Sequence, residues 1–388
     1  MARLGDICTV VSGSTPKSNI PEYWDGDIKW ITPAELTEES YIITDSARHI
    51  TELGVQKTGL KPFPAGTVIL SSRAPIGKTA IAGCEMFCNQ GFKNLICSDQ
   101  VNNRYLYWFL TCNTDYLNSL GRGATFKEIS KGIVEDIEIP LPPVSKQVEI
   151  AEKFEKVSDL IALRKEQLAK LDQLIKSRFV ELFGDPVDNP KEFPIRKLGS
   201  LSKKISDGVH AKPVYTETGR PFLSVVNINK GIVCFDGCKY VSEEAYQKMI
   251  KSTHPERGDV LYTKVGATYG IPAYVDTDIE FCLYVSVCLI KPKHDEINAR
   301  FLALSMGMPY IKRQADSRIK GIGVPDLHLN QISEFDILCP PRDLQEQFIA
   351  FVEQTDKSNI AILQSLDKLE LLKKSLMQEY FGQFKNCP

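Results

Sequence analysis

The chain has 388 residues and a formal net charge of −2, from 47 Lys+Arg against 49 Asp+Glu, with 43% hydrophobic and 25% charged residues. That composition suits an ordinary water-soluble protein long enough for two or more domains. It excludes a globally basic nucleic-acid binder, so any such contact must rest on local surfaces or on a partner's charge.

The N-terminal stretch MARLGDICTVVSGSTP lacks the apolar core of a signal peptide, and no apolar run approaches membrane-spanning length. The expected location is therefore the cytoplasm. After Arg3-Leu4-Gly5 comes a polar loop, SGSTPKSN from Ser12. Strands are expected at 28–32 and 66–70, then a glycine loop from Arg73 to Lys78, a strand at 93–97 and a helix at 104–112. The polar turn GRGATFK from Gly121 leads to a strand at 136–141 and on to Pro142-Pro143. The Pro-Pro pair bars helix before it, and more than thirty residues without Gly or Pro follow before Phe183-Gly184. This spacing predicts a helix about 55 Å long at ~1.5 Å per residue. Residues 184–194, GDPVDNPKEFP, carry three prolines and read as the joint between two halves.

The second half repeats the first. Lys197-Leu198-Gly199 answers Arg3-Leu4-Gly5, Gly270 answers Gly77, Phe281-Cys282 answers Phe87-Cys88, and Arg300-Phe301-Leu302 answers Arg104-Tyr105-Leu106. Its polar loop is SDGVHAKP from Ser206. Strands are expected at 221–226, 258–262 and 284–290, a glycine loop at 264–270, a helix at 300–306, the turn RIKGIG from Arg318 and a strand at 335–338. Residues 340–382 then match 142–184 without a gap: Pro340 with Pro142, Gln345 with Gln147, Leu366 with Leu168 and Phe381 with Phe183. The fold class is α+β, one unit used twice. The expected domains are 1–141, helix 142–184, 185–339 and helix 340–388.

Both helices carry heptad seams with breaks. The first has Phe154, Ile161, Leu168 and Ile175 in one series and Ile150, Val157 and Leu171 in the other, interrupted by Arg164 and Arg178. The second has Val352 and Leu366, with Phe348, Ile362, Leu369 and Leu376, interrupted by Thr355, Asn359 and Lys373. Matched lengths favour packing of the helices on each other, with the interrupted face left for a partner.

Catalytic motifs are missing from the sequence. It holds no Walker A loop, His-Glu-x-x-His or Gly-x-Ser-x-Gly, and Gly121-Arg122-Gly123 and Gly321-Ile322-Gly323 lack a third glycine. Asp188-Asn189-Pro190-Lys191 lacks the second Pro and the aromatic of an amino-methyltransferase tetrad. Eleven cysteines, an odd number, and five single histidines give no metal set, so the cysteines are read as reduced structural thiols. What recurs is a set of loops rich in Gly, Ser, Thr, Lys and Arg, suited to phosphates and base edges. The candidates for DNA contact are Ser12, Ser14, Thr15, Lys17, Arg73, Lys78, Arg122 and Lys127 in the first unit. In the second they are Asp207, His210, Lys212, Lys264, Tyr269, Arg318 and Lys320.

Two such modules, each opening with Leu-Gly and closing in Pro-Pro, a nearby Gln147 or Gln345 and a long helix ending in Phe-Gly, resemble the specificity subunit of a Type I restriction-modification system. The resemblance spans essentially the whole chain. It implies two target recognition domains, each reading half of a split double-stranded DNA sequence, and two helices packed as an antiparallel coiled coil. These helices would set the spacer and receive two methyltransferase subunits, and restriction subunits would join that core. It implies no catalysis in this chain, with S-adenosylmethionine, ATP and Mg on the partner subunits. Three other readings stay open: a recognition subunit for an architecture with fused cleavage and methylation, a self-contained methyltransferase or nuclease, and a structural repeat scaffold.

Overall fold

The computed structural model describes residues 1–123, 127–228, 231–319 and 323–382. Two compact units emerge, one of residues 1–166 with 363–388 and one of residues 167–362. The division falls within the long helices, which span Val144–Phe183 and Arg342–Phe381. Each unit therefore holds the start of one helix and the end of the other.

The first unit is built on a five-stranded sheet. Its order is Cys8–Ser12, Lys93–Cys97, Val68–Leu70, Thr79–Ala82 and Ile42–Ile43. A second sheet sets Trp24–Ile31 between His49–Ile50 and Phe87–Cys88. The second unit repeats this with four strands, Ser202–Asp207, Val287–Pro292, Val260–Thr263 and Pro272–Tyr274. Its smaller sheet places Arg220–Leu223 between Lys239–Val241 and Cys282–Leu283. In both, the middle strand of the small sheet pairs in parallel with a two-residue strand, Trp30 opposite Phe87 and Phe222 opposite Cys282.

The helix that follows each large sheet is Asn103–Cys112 or Ala299–Met306. Each is capped by an asparagine, Asn102 or Asn298, whose side-chain oxygen accepts from the second and third amides of the helix. The buried glutamine after each Pro-Pro pair explains that motif. Gln147 Oε1 accepts from Asn102 N at 2.8 Å while its Nε2 donates to Gln100 O and Pro142 O. Gln345 accepts from Asn298 N at 2.9 Å and donates to Pro340 O. One side chain thus ties the start of the long helix to the cap of the short one. Arg104 to Glu155 at 2.9 Å and Arg300 to Glu353 at 3.0 Å tie the same pair of helices a turn further on.

In the first unit Phe154, fully buried, stacks on Trp108 and on Phe381 at 5.2 and 5.6 Å between ring centres. In the second unit Phe179 and Phe183 pack on Phe348 at 5.5 and 5.6 Å. The start of one helix meets the end of the other in each unit, so the pairing is antiparallel. Of the expected seam, Ile150, Phe154, Val157, Ile161, Phe348 and Val352 are buried. Leu168, Leu171, Ile175, Ile362, Leu366, Leu369 and Leu376 are only half-buried. The core is concentrated where a recognition module covers the helices. Phe179, Phe183, Ile349 and Phe381 complete it and were outside the expected seam.

Residues 184–194, read as the joint between halves, lie inside the second unit. They end the first long helix: Lys191 Nζ donates to Glu181 O and Leu182 O at 2.8 and 2.9 Å, satisfying terminal carbonyls.

Candidate nucleic-acid interface

At one end of each large sheet four loops are stitched together by main-chain hydrogen bonds. In the first unit Ser14 N donates to Cys88 O, Ser72 N to Gly91 O and Ile129 N to Ser72 O, at 2.8–3.0 Å. The second unit uses the corresponding bonds, Val209 N to Leu283 O, Lys264 N to Ser286 O and Leu327 N to Lys264 O, at 2.9–3.0 Å. The backbones cross so closely that a Cβ on Gly13 would lie 2.0 Å from Cys88 O, and one on Gly208 would lie 2.0 Å from Leu283 O. Only glycine fits at those two crossings.

Beneath each loop cluster sits a lysine held by an acid. Lys93, 7% exposed, has its Nζ 3.3 Å from Glu128 Oε1 and 3.4 Å from Ser72 Oγ. Glu128 Oε2 also accepts from Arg73 Nε at 2.9 Å. Burial pushes the Glu128 carboxyl up, but the hydrogen bonds from Arg73 and Lys93 outweigh it and leave the group below its ordinary value. In the second unit Lys264, 5% exposed, lies 3.3 Å from Asp326 and 3.7 Å from Asp207. A buried ammonium needs such partners, because desolvating it alone costs several kcal/mol. Glu128 and Asp326 occupy matching places, in bridges to Arg73 and Val265 respectively. The lysines do not match: one begins the strand Lys93–Cys97 and the other follows the strand Val260–Thr263.

The structure divides the expected contact residues by what their side chains do. Ser12 and Lys17 are exposed, and Thr15 Oγ1 hydrogen-bonds Gln90 at 2.5 Å. Ser14 O accepts from Trp30 Nε1 at 3.0 Å and Lys17 O from Trp24 Nε1 at 3.2 Å, so two tryptophans hold this polar loop in place. Arg48 lies 3.6 Å over Trp24 and 5.7 Å from Trp30. Arg122, Lys127 and Lys212 are exposed and, like Lys17, make no side-chain bond or ion pair among the described residues. His210 is exposed, with Nε2 3.5 Å from Asp207.

Three other candidates point inward. Lys78 Nζ donates to Leu36 O at 2.5 Å. Arg318 donates to Gln314 O and Glu334 O and covers the Phe335 ring, so it closes its own helix end. Tyr269 donates to Asp316 at 2.5 Å beneath Lys312, 3.5 Å from its ring centre. They order loops, because their polar groups are already used. Lys320 lies outside the described residues.

Sequence reasoning missed Lys93, Glu128, Asp326, Trp24 and Trp30. The acid was findable, since Glu128-Ile129 and Asp326-Leu327 stand at the same offset as the two long helices. Among the described residues no group of His, Cys, Asp or Glu is placed to hold a metal. Burial pushes the Cys88 and Cys282 thiols up to about 12, so both are neutral packing groups at physiological pH. No described helix is long and apolar enough to cross a membrane. The arrangement offers cations, hydroxyls and amides on a rigid frame, a surface able to hold a backbone phosphate and probe base edges.

The sequence pattern described as "Type I restriction modification DNA specificity domain" matches residues 1–173 and 190–373. The Type I restriction enzyme MjaIX specificity subunit of Methanocaldococcus jannaschii is 30% identical over 410 residues, covering 99% of this chain and 93% of that protein. The Type I restriction enzyme EcoBI specificity subunit of Escherichia coli is 23% identical over 314 residues, 73% of this chain and 66% of the relative. A chain solved in a study of complex assembly and conformational transition of the type I R-M system matches in fold with a TM-score of 0.60 at 18% identity, covering 98% and 96%. The S subunit from M. genitalium does so with a TM-score of 0.54 at 15% identity, covering 98% and 95%.

Proposed function

The chain belongs to the Type I restriction modification DNA specificity family, and from that premise we propose that its two units read the two halves of one split DNA sequence. The observation that carries this is the pair of stitched four-loop clusters, equivalent in frame and different in side chains. A shared frame gives both units the same approach to a duplex. Different loop residues let each select its own bases.

The long helices act as the spacer, each 40 residues, and their half-buried middle stretches and exposed Leu160, Leu163, Leu371 and Leu372 receive methyltransferase subunits. The chain itself does no chemistry. S-adenosylmethionine, ATP and Mg belong to the methyltransferase and restriction partners, which also supply much of the phosphate-binding charge that a chain of net charge −2 lacks. The work is done in the cytoplasm, where the DNA and those partners are.

Sequencing methylated adenines in cells with and without this gene tests the reading. A two-part motif should vanish on deletion, and an unchanged methylome sinks it. Removing two helical turns, seven residues, from each long helix is expected to shorten the spacer by about three base pairs, at ~1.5 Å per residue and ~3.4 Å per base pair. An unchanged spacer with binding intact removes the ruler role.

A further inference from the structure

Of the exposed cations of the first loop cluster, Lys17, Arg73, Arg122 and Lys127, only Arg73 is braced from below among the described residues. Its Nε is occupied by Glu128 Oε2 at 2.9 Å. Glu128 is held in turn by the buried Lys93 through its other oxygen. Lys93 is fixed by its strand and by Ser72. The chain of contacts ends on two free donors: Nη1 and Nη2 of Arg73 make no hydrogen bond among the described residues, and the side chain is 46% exposed.

That is a fork whose direction is set before any ligand arrives. Two parallel N–H donors match the N7 and O6 acceptors that guanine alone shows in the major groove. A lysine there would present a single point charge, with no such match. Holding the fork in advance removes part of the ordering cost on binding. Among the described residues the second unit has no counterpart. Val265 stands in the matching bridge, and its cation, Lys264, is buried between Asp326 and Asp207.

Building on the DNA-reading function, we propose that Arg73 is the guanine-reading residue of the first unit, with Glu128 and Lys93 as its positioning residues. The half-site read by that unit then contains a G·C pair set by Arg73. The half-site of the second unit owes nothing to this position.

The test uses the full chain assembled with its methyltransferase partner. Binding is measured on duplexes in which each base pair of both half-sites is changed in turn, at fixed salt. The Arg73→Ala assembly should lose roughly 10- to 100-fold of discrimination at one G·C position, with every position of the other half unchanged. Arg73→Lys should keep the affinity for mixed-sequence DNA yet show the same relaxed position, which a purely electrostatic role does not produce. Glu128→Gln should relax the same position less. Uniform weakening on all duplexes makes Arg73 a phosphate contact and overturns the proposal, as does unchanged discrimination. If the wild-type assembly prefers no two-part sequence at all, the reading beneath fails first and takes this inference with it. The intact second half-site reports that each variant has folded and assembled.

Discussion

The frame and the loop face of each unit behave differently under the internal repeat. In the frame, equivalent residues make equivalent bonds: Gln147 and Gln345, Asn102 and Asn298, Arg104 to Glu155 and Arg300 to Glu353 agree to within about 0.2 Å. On the loop face the two units solve one electrostatic problem by different means. Each buries one lysine against one matching acid, but one lysine begins a strand and the other follows a different one, and an arginine fork in one unit stands where a valine stands in the other. The second unit exposes Lys212 and His210, with Asp207 half-buried, whereas the first exposes Lys17, Arg122 and Lys127. The frame is fixed by packing and hydrogen bonding that any second copy must reproduce. The loops are free to differ because their frame holds without them.

Breaking that comparison begins with the helix ends. Phe154→Ala and Phe348→Ala each remove a fully buried ring and should cost about 3–5 kcal/mol. The two losses should be similar, each falling on the transition of its own unit in thermal unfolding followed by calorimetry. A loss confined to one unit denies the equivalence of the frames.

A smaller effect is expected at the glutamines. Gln147→Ala and Gln345→Ala strand the amide of Asn102 or Asn298 and free carbonyls around it. Each should destabilise by about 1–3 kcal/mol in urea unfolding. Values below 0.5 kcal/mol by the same method, about the size of an ordinary surface change, leave the Pro-Pro-to-Gln motif without its structural explanation.

The smallest effects separate the loops. Lys17→Ala and Lys127→Ala remove exposed cations with no partner among the described residues. Each should weaken binding by a similar factor on every duplex and lower the salt slope of log K by about 1. Lys78→Ala, already bonded to Leu36 O, should leave that slope where it was. A slope lowered equally by all three removes the distinction drawn between inward and outward lysines.

The sequence made the repeat and both long helices legible, because a gap-free match and two stretches without Gly or Pro are one-dimensional signals. The strand Lys93–Cys97 falls where expected, and the helices at Asn103–Cys112 and Ala299–Met306 each begin one residue earlier. The buried half of the seam was legible from heptad spacing. Phe179 and Phe183 were not, since their burial depends on Phe301 and Phe348, remote in sequence. The lysine–acid pairs escaped for a related reason. Lys93 and Lys264 occupy unmatched positions, and only the fold shows that they reach equivalent acids, Glu128 and Asp326. Loop composition alone could not separate Lys78 and Arg318, which bond to backbone, from Lys17 and Lys127, which face solvent.

The claim that the units read separately is tested most directly by replacing residues 1–141 with the first recognition module of another family member and sequencing the methylated adenines of cells carrying the chimera. One half of the motif should change, while the other half and the spacer stay as they were. A change in both halves, or in neither with methylation intact, contradicts the assignment of one unit to one half-site.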